Sequence, residues 1–202
     1  MLIALDKKVP VGAGMGGGSS DAAAVLRALN RHYAAFTPEA LEALSAEVGS
    51  DVPFCVRGGT ALATGRGEKL EALPDMPDCE FIICKPEFSI STPELFRKLD
   101  QSSTRCRPDT DGIIAALRAG DLEQLCRRMY NVFEDLDDRR LRTVREIKGR
   151  LLDHGALGAV MTGTGSAVFG VYRPGAAPDA AVEALRKDYG FCEKAVCVGR
   201  LN

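Results

Sequence analysis

Pro10-Val11-Gly12-Ala13-Gly14-Met15-Gly16-Gly17-Gly18-Ser19-Ser20-Asp21 is the stretch that most restricts what this chain can fold into. Five of the seven positions 12–18 are glycine. Glycine has no side chain to bury and loses the most backbone entropy on folding, so these five do not serve packing. They suit a loop whose N–H groups must come close to something, or whose φ must turn positive. A helix follows at once: Ser19, Ser20 and Asp21 are N-cap types, and Val25, Leu26, Leu29 and Tyr33 recur at helical spacing. A glycine loop emptying into a helix N-terminus gathers N–H donors at the positive end of a dipole, which suits phosphate. A flexible linker would not run straight into so well capped an apolar helix.

Two familiar phosphate loops do not fit. The P-loop pattern requires a Lys-Ser/Thr pair after its last glycine, and here Gly18 is followed by Ser19-Ser20. The dinucleotide fingerprint is met in letters by Gly12-x-Gly14-x-x-Gly17. That fingerprint also needs a strand running into the glycines and an acidic residue about 20 positions on, at the end of a second strand. Pro10 interrupts the approach, and Thr37-Pro38-Glu39 opens a fresh helix instead.

The order of elements predicts two domains. Residues 2–5 read as a short strand. After the first helix, Thr37 and Pro38 make an N-cap and N1 pair for a second helix marked by Leu41, Leu44 and Val48, with Gly49 at its end. Strands are predicted at 54–57 and 60–64, and Gly65-Arg66-Gly67 turns a hairpin into 68–73. Pro74-Asp75-Met76-Pro77-Asp78 is the most linker-like stretch, dividing the chain into 1–77 and 78–202. Beyond it come a strand at 79–85, helices at 93–99, 112–119, 122–133 and 139–153, strands at 157–161 and 167–172, a helix at 178–188 and a strand at 191–198. Gly120 and Gly155 act as helix stops. Without the additional helices this is β-α-β-β-α-β, the ferredoxin-like order.

Composition narrows the partners. A length of 202 residues with 46% hydrophobic and 27% charged residues is ordinary for a soluble globular protein. A net charge of −2 gives no sign of a nucleic-acid or anionic-membrane partner, and no apolar run approaches the roughly 18 residues of a membrane span. The seven cysteines (55, 79, 84, 106, 126, 192 and 197) are odd in number and lack metal-like spacing. They point to a reducing cytoplasm and to small core residues. His32 and His154 read as surface residues near helix ends, and zinc is not expected.

Taken by themselves, the remaining candidates have plain readings. Asp51 reads as a turn or capping aspartate, and Ser19 and Ser20 read as helix caps. Thr92-Pro93 opens a helix whose apolar Phe96 belongs in the core. Thr162-Gly163-Thr164-Gly165-Ser166 is a glycine-rich hairpin between two strands.

A resemblance adds to these readings. Pro-x-Gly-x-Gly-(Leu/Met)-Gly-Gly-Gly-Ser-Ser-Asp-Ala-Ala resembles the ATP-binding signature of the GHMP kinases, the group named for galactokinase, homoserine kinase, mevalonate kinase and phosphomevalonate kinase. Gly49-Ser50-Asp51-Val52-Pro53-Phe54 and Thr162-Gly163-Thr164-Gly165-Ser166 are similar to two further blocks of that group, in the right order. The extra glycine before Ser19 and the aspartate after Ser20 are similar to the member that phosphorylates an alcohol carried on cytidine diphosphate, on a route to isoprenoid precursors.

The resemblance implies an α+β protein in two parts: an incomplete ribosomal-protein-S5-like first domain and a ferredoxin-like βαββαβ second domain with extra helices. It implies ATP, with Pro10, Val11, Gly12, Ala13, Gly14, Met15, Gly16, Gly17, Gly18, Ser19 and Ser20 around the phosphates, and Mg²⁺ approached by Ser20. It also implies Asp51 as general base, Thr92 and Phe96 facing a small-molecule substrate with the ring on its cytosine, and residues 162–166 shaping the site. Another alcohol, or a non-catalytic nucleotide-binding remnant, are the alternatives. The group's Pro-Ala-Lys-x-Asn-Leu and Gly-Tyr-His blocks do not occur in these 202 residues. The chain is therefore expected to lack the start of the first domain, to leave residues 2–5 with unpaired edges and an exposed apolar face, and to turn over weakly or not at all by itself. Oligomeric state is not legible.

Overall fold

The computed structural model describes residues 2–103 and 106–199, so Met1 and 200–202, the outer limits of the two expected domains, lie outside it. The first part is helical. α1 (Gly17–Tyr33) ends on Ala34, whose N–H donates to the Asn30 carbonyl at 2.7 Å. α2 (Pro38–Ser45) starts as its sequence dictates: the Thr37 hydroxyl accepts the Ala40 N–H at 3.2 Å, with Pro38 in the first turn where no N–H is needed. α3 (Val52–Arg57) follows, and Ala23, Leu41, Val52 and Val56 form a small buried cluster among the three helices.

The expected strand at 54–57 is thus a helix. A short apolar run does not distinguish the two periods. The buried pair Val52 and Val56 sits four apart, and Pro53 lies in the first turn, both of which favour a helix. The expected hairpin is present: β1 (Ala61–Thr64) pairs antiparallel with β2 (Lys69–Ala72), with Gly65 and Gly67 at φ 72 and 112 in the turn.

The expected strand at 2–5 does not form, because a strand's N–H and C=O groups need a neighbour and none pairs with it among the described residues. Leu2, Ile3 and Leu5 are exposed, and with Val25, Leu29 and Tyr33 they border an open groove of about 760 Å³. The expected exposed apolar face is there.

The second part runs β3 (Glu80–Lys85), α4 (Thr92–Gln101), α5 (Thr110–Ala119), α6 (Leu122–Arg127), a 3₁₀ turn (Val132–Asp135), α7 (Arg140–Asp153), β4 (Gly158–Met161), β5 (Val168–Tyr172), α8 (Asp179–Tyr189) and β6 (Phe191–Val196). The four strands form one antiparallel sheet in the order β4-β5-β3-β6, the ferredoxin-like arrangement. Ile82, Cys84, Val168 and Tyr172 pack one face of it against Leu141, Val144 and Ile147 of α7 and Leu185 of α8. Phe81, Phe169 and Val171 pack the opposite face against α5 and α6. This alternation along each strand explains why the strands read as nearly continuous apolar runs.

The expected helix at 122–133 breaks after Arg127. The Asn131 side chain accepts the Phe133 N–H at 3.0 Å and starts a separate turn, the usual competition of asparagine with helical backbone. Cys79, Cys84, Cys126 and Cys192 are buried and all seven cysteines are free thiols. Burial pushes the Cys79 thiol up to about 12 and the Cys126 thiol up to about 11, as suits neutral core residues. His32 and His154 are exposed, as their positions suggested.

Candidate active site

The glycine loop starts α1 at least three residues earlier than the serines promised. Gly16 is the N-cap, at φ 61 and ψ 26, and no side chain caps the helix. Ser19 and Ser20 lie inside the first turn. The Ser20 N–H donates to the Gly16 carbonyl at 2.8 Å, and its hydroxyl donates back to the Gly17 carbonyl at 2.9 Å. The N–H groups of Gly17, Gly18 and Ser19 precede the first intrahelical donor and stay available. A capping side chain would occupy the place an anion takes at such an end.

The glycines divide into two kinds. A Cβ on Gly18 would meet nothing within 4 Å, and one on Gly16 would meet Cys55 Sγ at 4.0 Å. A Cβ on Gly12 would strike the Ser89 side chain, and one on Gly14 would strike the Thr162 carbonyl and lie 2.9 Å from Gly165 N. Gly12 and Gly14, both at positive φ, are there so that other parts of the chain can touch the loop. Gly16 and Gly18 leave space, and Gly17 faces Lys7 and Val9.

The block 162–166 docks on the loop. Thr162 Oγ1 donates to the Ala13 carbonyl at 2.5 Å, and the Ala167 N–H donates to the same oxygen at 3.2 Å. Asn131 Nδ2 donates to the carbonyls of Met161 at 2.9 Å and Gly163 at 2.7 Å. Asn131 escaped the sequence reading, where it lay inside an expected helix. Its removal orphans two acceptors, each costing about 1–3 kcal/mol if it stays buried. Asn131→Ala is expected to lower the melting temperature and weaken nucleotide binding together, as read by thermal melts with and without ATP.

Thr92 and Phe96 flank this block. Ser91 is the N-cap of α4, one residue before the expected cap, and the Thr92 and Thr164 hydroxyls share a hydrogen bond at 2.7 Å. Phe96 is not a core residue: it is 50% exposed, with one ring edge against Phe133 at 5.1 Å between centroids. The buried residue of α4 is Leu95.

Asp51 is the N-cap of α3, yet its side chain caps nothing, and it is exposed. A Cβ on Gly67 would lie 3.3 Å from Asp51 Oδ1, so the β1–β2 turn passes directly over the carboxylate. One helical turn on, Cys55 faces Gly16, and burial together with the Asp51 charge raises its thiol. α3 therefore brings Cys55 to the open part of the loop, with Asp51 one turn back at the helix start.

Lys7 was also missed. It forms an ion pair with Asp21, and its Nζ lies 3.3 Å from where a Cβ on Gly17 would be. Asp21 is thus a partner for a lysine in the second turn rather than a first-turn cap. A basic pair just before a phosphate loop, Lys7-Lys8, was the available signal. Among the described residues, no group of three His, Cys, Asp or Glu side chains is placed to hold a metal ion. No helix among them is long and apolar enough to cross a membrane.

In sequence and fold the chain is similar to known proteins. The family model for the GHMP kinases N terminal domain matches residues 1–59, and that for the GHMP kinases C terminal matches 113–190. The 4-diphosphocytidyl-2-C-methyl-D-erythritol kinase of Alkaliphilus metalliredigens is 44% identical over 172 residues, 85% of this chain and 59% of the relative. The enzyme of that name from Listeria monocytogenes is 43% identical over 197 residues, 97% of this chain and 66% of the relative. The chain therefore spans about three fifths to two thirds of the length of these relatives. A crystal structure of 4-(cytidine 5'-diphospho)-2C-methyl-D-erythritol kinase superposes with a TM-score of 0.80 at 35% identity, covering 96% of this chain and 69% of that one.

Proposed function

This chain belongs to the GHMP kinase family, and we propose that it transfers the γ-phosphoryl group of ATP to the 2-hydroxyl of 4-diphosphocytidyl-2-C-methyl-D-erythritol, a step of the non-mevalonate route to isoprenoid precursors. The observation that supports this is the uncapped α1 N-terminus: Gly16 and Gly18 leave space, Lys7 lies beside Gly17, and the N–H groups of Gly17, Gly18 and Ser19 precede the first intrahelical donor, while a Cβ on Gly12 or Gly14 would strike the protein itself. The names of relatives 43–44% identical supply the alcohol.

In this reading Pro10 to Ser20 enclose the nucleotide phosphates, with the N–H groups of Gly17, Gly18 and Ser19 and the Lys7 ammonium drawing off their charge. Asp51 takes the proton of the substrate hydroxyl as that oxygen attacks the γ-phosphorus and ADP leaves. A Mg²⁺ ion neutralises phosphate charge when bound. Such an ion needs few protein ligands beside phosphates and waters, and the exposed Ser20 hydroxyl at the loop's end would fit that demand. Thr92 and Phe96 face the cytidine part, since an exposed aromatic ring is a stacking surface for a base. The same reading places the protein in the cytoplasm with a small molecule as its partner, and divides it at 77/78.

Loss of one stacked base contact is worth about 1–3 kcal/mol. Phe96→Ala is therefore expected to raise KM for the cytidine substrate about tenfold or more, with KM for ATP little changed. The reading itself is tested by transfer of labelled γ-phosphate to the alcohol. The assay is run on this chain and on the chain joined to the part of the Listeria relative that it does not match. Transfer by either supports the kinase. ATP binding with no transfer by both leaves a nucleotide-binding module and sinks the proposal.

A further inference from the structure

α4 carries two different faces, and something must set its rotation. At about 100° per residue, Glu94 and Phe96 point to nearly opposite sides of the helix. Leu95 is fully buried and acts as a pivot. On the Phe96 side lie a hydrogen bond shared by the Thr92 and Thr164 hydroxyls and a ring edge against Phe133.

The other side is gripped. The Arg140 guanidinium donates to Glu94 through Nη2 at 2.5 Å and Nη1 at 3.2 Å, and to Asp138 through Nε at 2.9 Å and Nη2 at 2.6 Å. Lys98 Nζ lies 2.6 Å from Asp138 Oδ2 and 3.5 Å from Glu94 Oε1. The Asp138 side chain is 3% exposed. Paired exposed charges on a protein surface contribute little, but a closed four-member network around a buried carboxylate with a forked guanidinium defines a geometry. The same connecting segment, 131–140, presents Phe133 to Phe96 and Asn131 to the block 162–166. It touches both the phosphate side and the base side of the site.

We propose that Arg140 and Asp138 are positioning residues, which fix the rotation of α4 through Glu94 and Lys98 and thereby the direction in which Phe96 and Thr92 face the cytidine part of the substrate. This rests on the reading of Phe96 as the base-stacking ring. The hydrogen bonds from Arg140 and Lys98 hold the Asp138 carboxyl well below the usual carboxylate range, so the network stays charged at any working pH.

The chain has no tryptophan, so Phe96→Trp introduces a single fluorescent reporter on the face in question. In that background, Arg140→Lys keeps the charge but loses the fork, and Glu94→Gln, on a side chain one third exposed, keeps the Asp138–Arg140 pair. Both are expected to lower the tryptophan's anisotropy and shift its emission. With Phe96 in place, both raise KM for the cytidine alcohol about tenfold while KM for ATP stays within about twofold. Unchanged tryptophan signals in folded variants overturn the proposal. So does an equal rise in both KM values accompanied by a fall in melting temperature, the mark of a merely structural role. If no version transfers phosphate, the kinase reading fails by itself, and the tryptophan signals still decide whether the network orients α4.

Discussion

Asp51→Asn is expected to slow phosphoryl transfer about 10²–10⁴-fold, the span that general-base catalysis commonly contributes. ATP affinity and melting temperature should stay where they were. The expectation follows from what Asp51 does not do. It stands at the N-cap of α3 without its side chain capping it, and that side chain makes no hydrogen bond or ion pair among the described residues, only the backbone carbonyl accepting the Cys55 N–H. An amide of the same shape therefore disturbs no packing, and the Gly67 turn above it accommodates either group. What the amide lacks is the ability to take a proton from the substrate oxygen. Measuring transfer rate, nucleotide affinity and melting together separates the two roles. A fall in melting temperature that tracks the loss of rate would make Asp51 a structural residue and remove it from the mechanism.

A pair of glycine substitutions should act in opposite ways. Gly14→Ala places a side chain at φ 71, a conformation costing about 1–2 kcal/mol for an L-residue. It also drives the new methyl into the Thr162 carbonyl, a backbone atom that cannot move without undocking the block 162–166. A total loss near 3 kcal/mol corresponds to a melting temperature lower by roughly 6–12 °C in a domain of this size, with nucleotide binding lost in parallel. Gly18→Ala lies inside α1 in open space, and alanine is the better helix former by about 1 kcal/mol. Its melting temperature should hold or rise. Its Cβ tilts toward the helix N-terminus, where phosphate is proposed to sit, so ATP affinity should fall about tenfold or more, roughly 1.4 kcal/mol. Calorimetric titration with an ATP analogue measures this. Unchanged affinity in Gly18→Ala would mean that phosphate does not bind at the start of α1.

Much of this architecture is written locally. The cap at Thr37, the stop at Gly120 and the glycine-flanked hairpin at 65–67 each appear where a few neighbouring residues dictate a backbone conformation. The helices and strands after residue 79 follow from periodicity, apart from the break after Arg127 in the helix expected at 122–133, and their order already implied an antiparallel ferredoxin-like sheet. Local signals failed where they were short or where a partner was needed. Residues 54–57 were too few to reveal their period, and 2–5 had the composition of a strand without a neighbour to pair with.

The sequence by itself therefore determined that a glycine loop feeds a helix, that a βαββαβ unit follows, and which blocks were worth watching. Tertiary structure alone decided what each residue of those blocks does. Gly12 and Gly14 turned out to admit the close approach of Ser89 and Thr162, and Lys7 came to stand over the first turn of α1. Asp51 was freed from capping, and Phe96 was left half open. The physical reason is separation along the chain. The hydrogen bond from Thr162 to Ala13 joins residues 149 positions apart. Such a contact leaves no periodicity or propensity in either segment, and exists only once the packed core has brought both to one place.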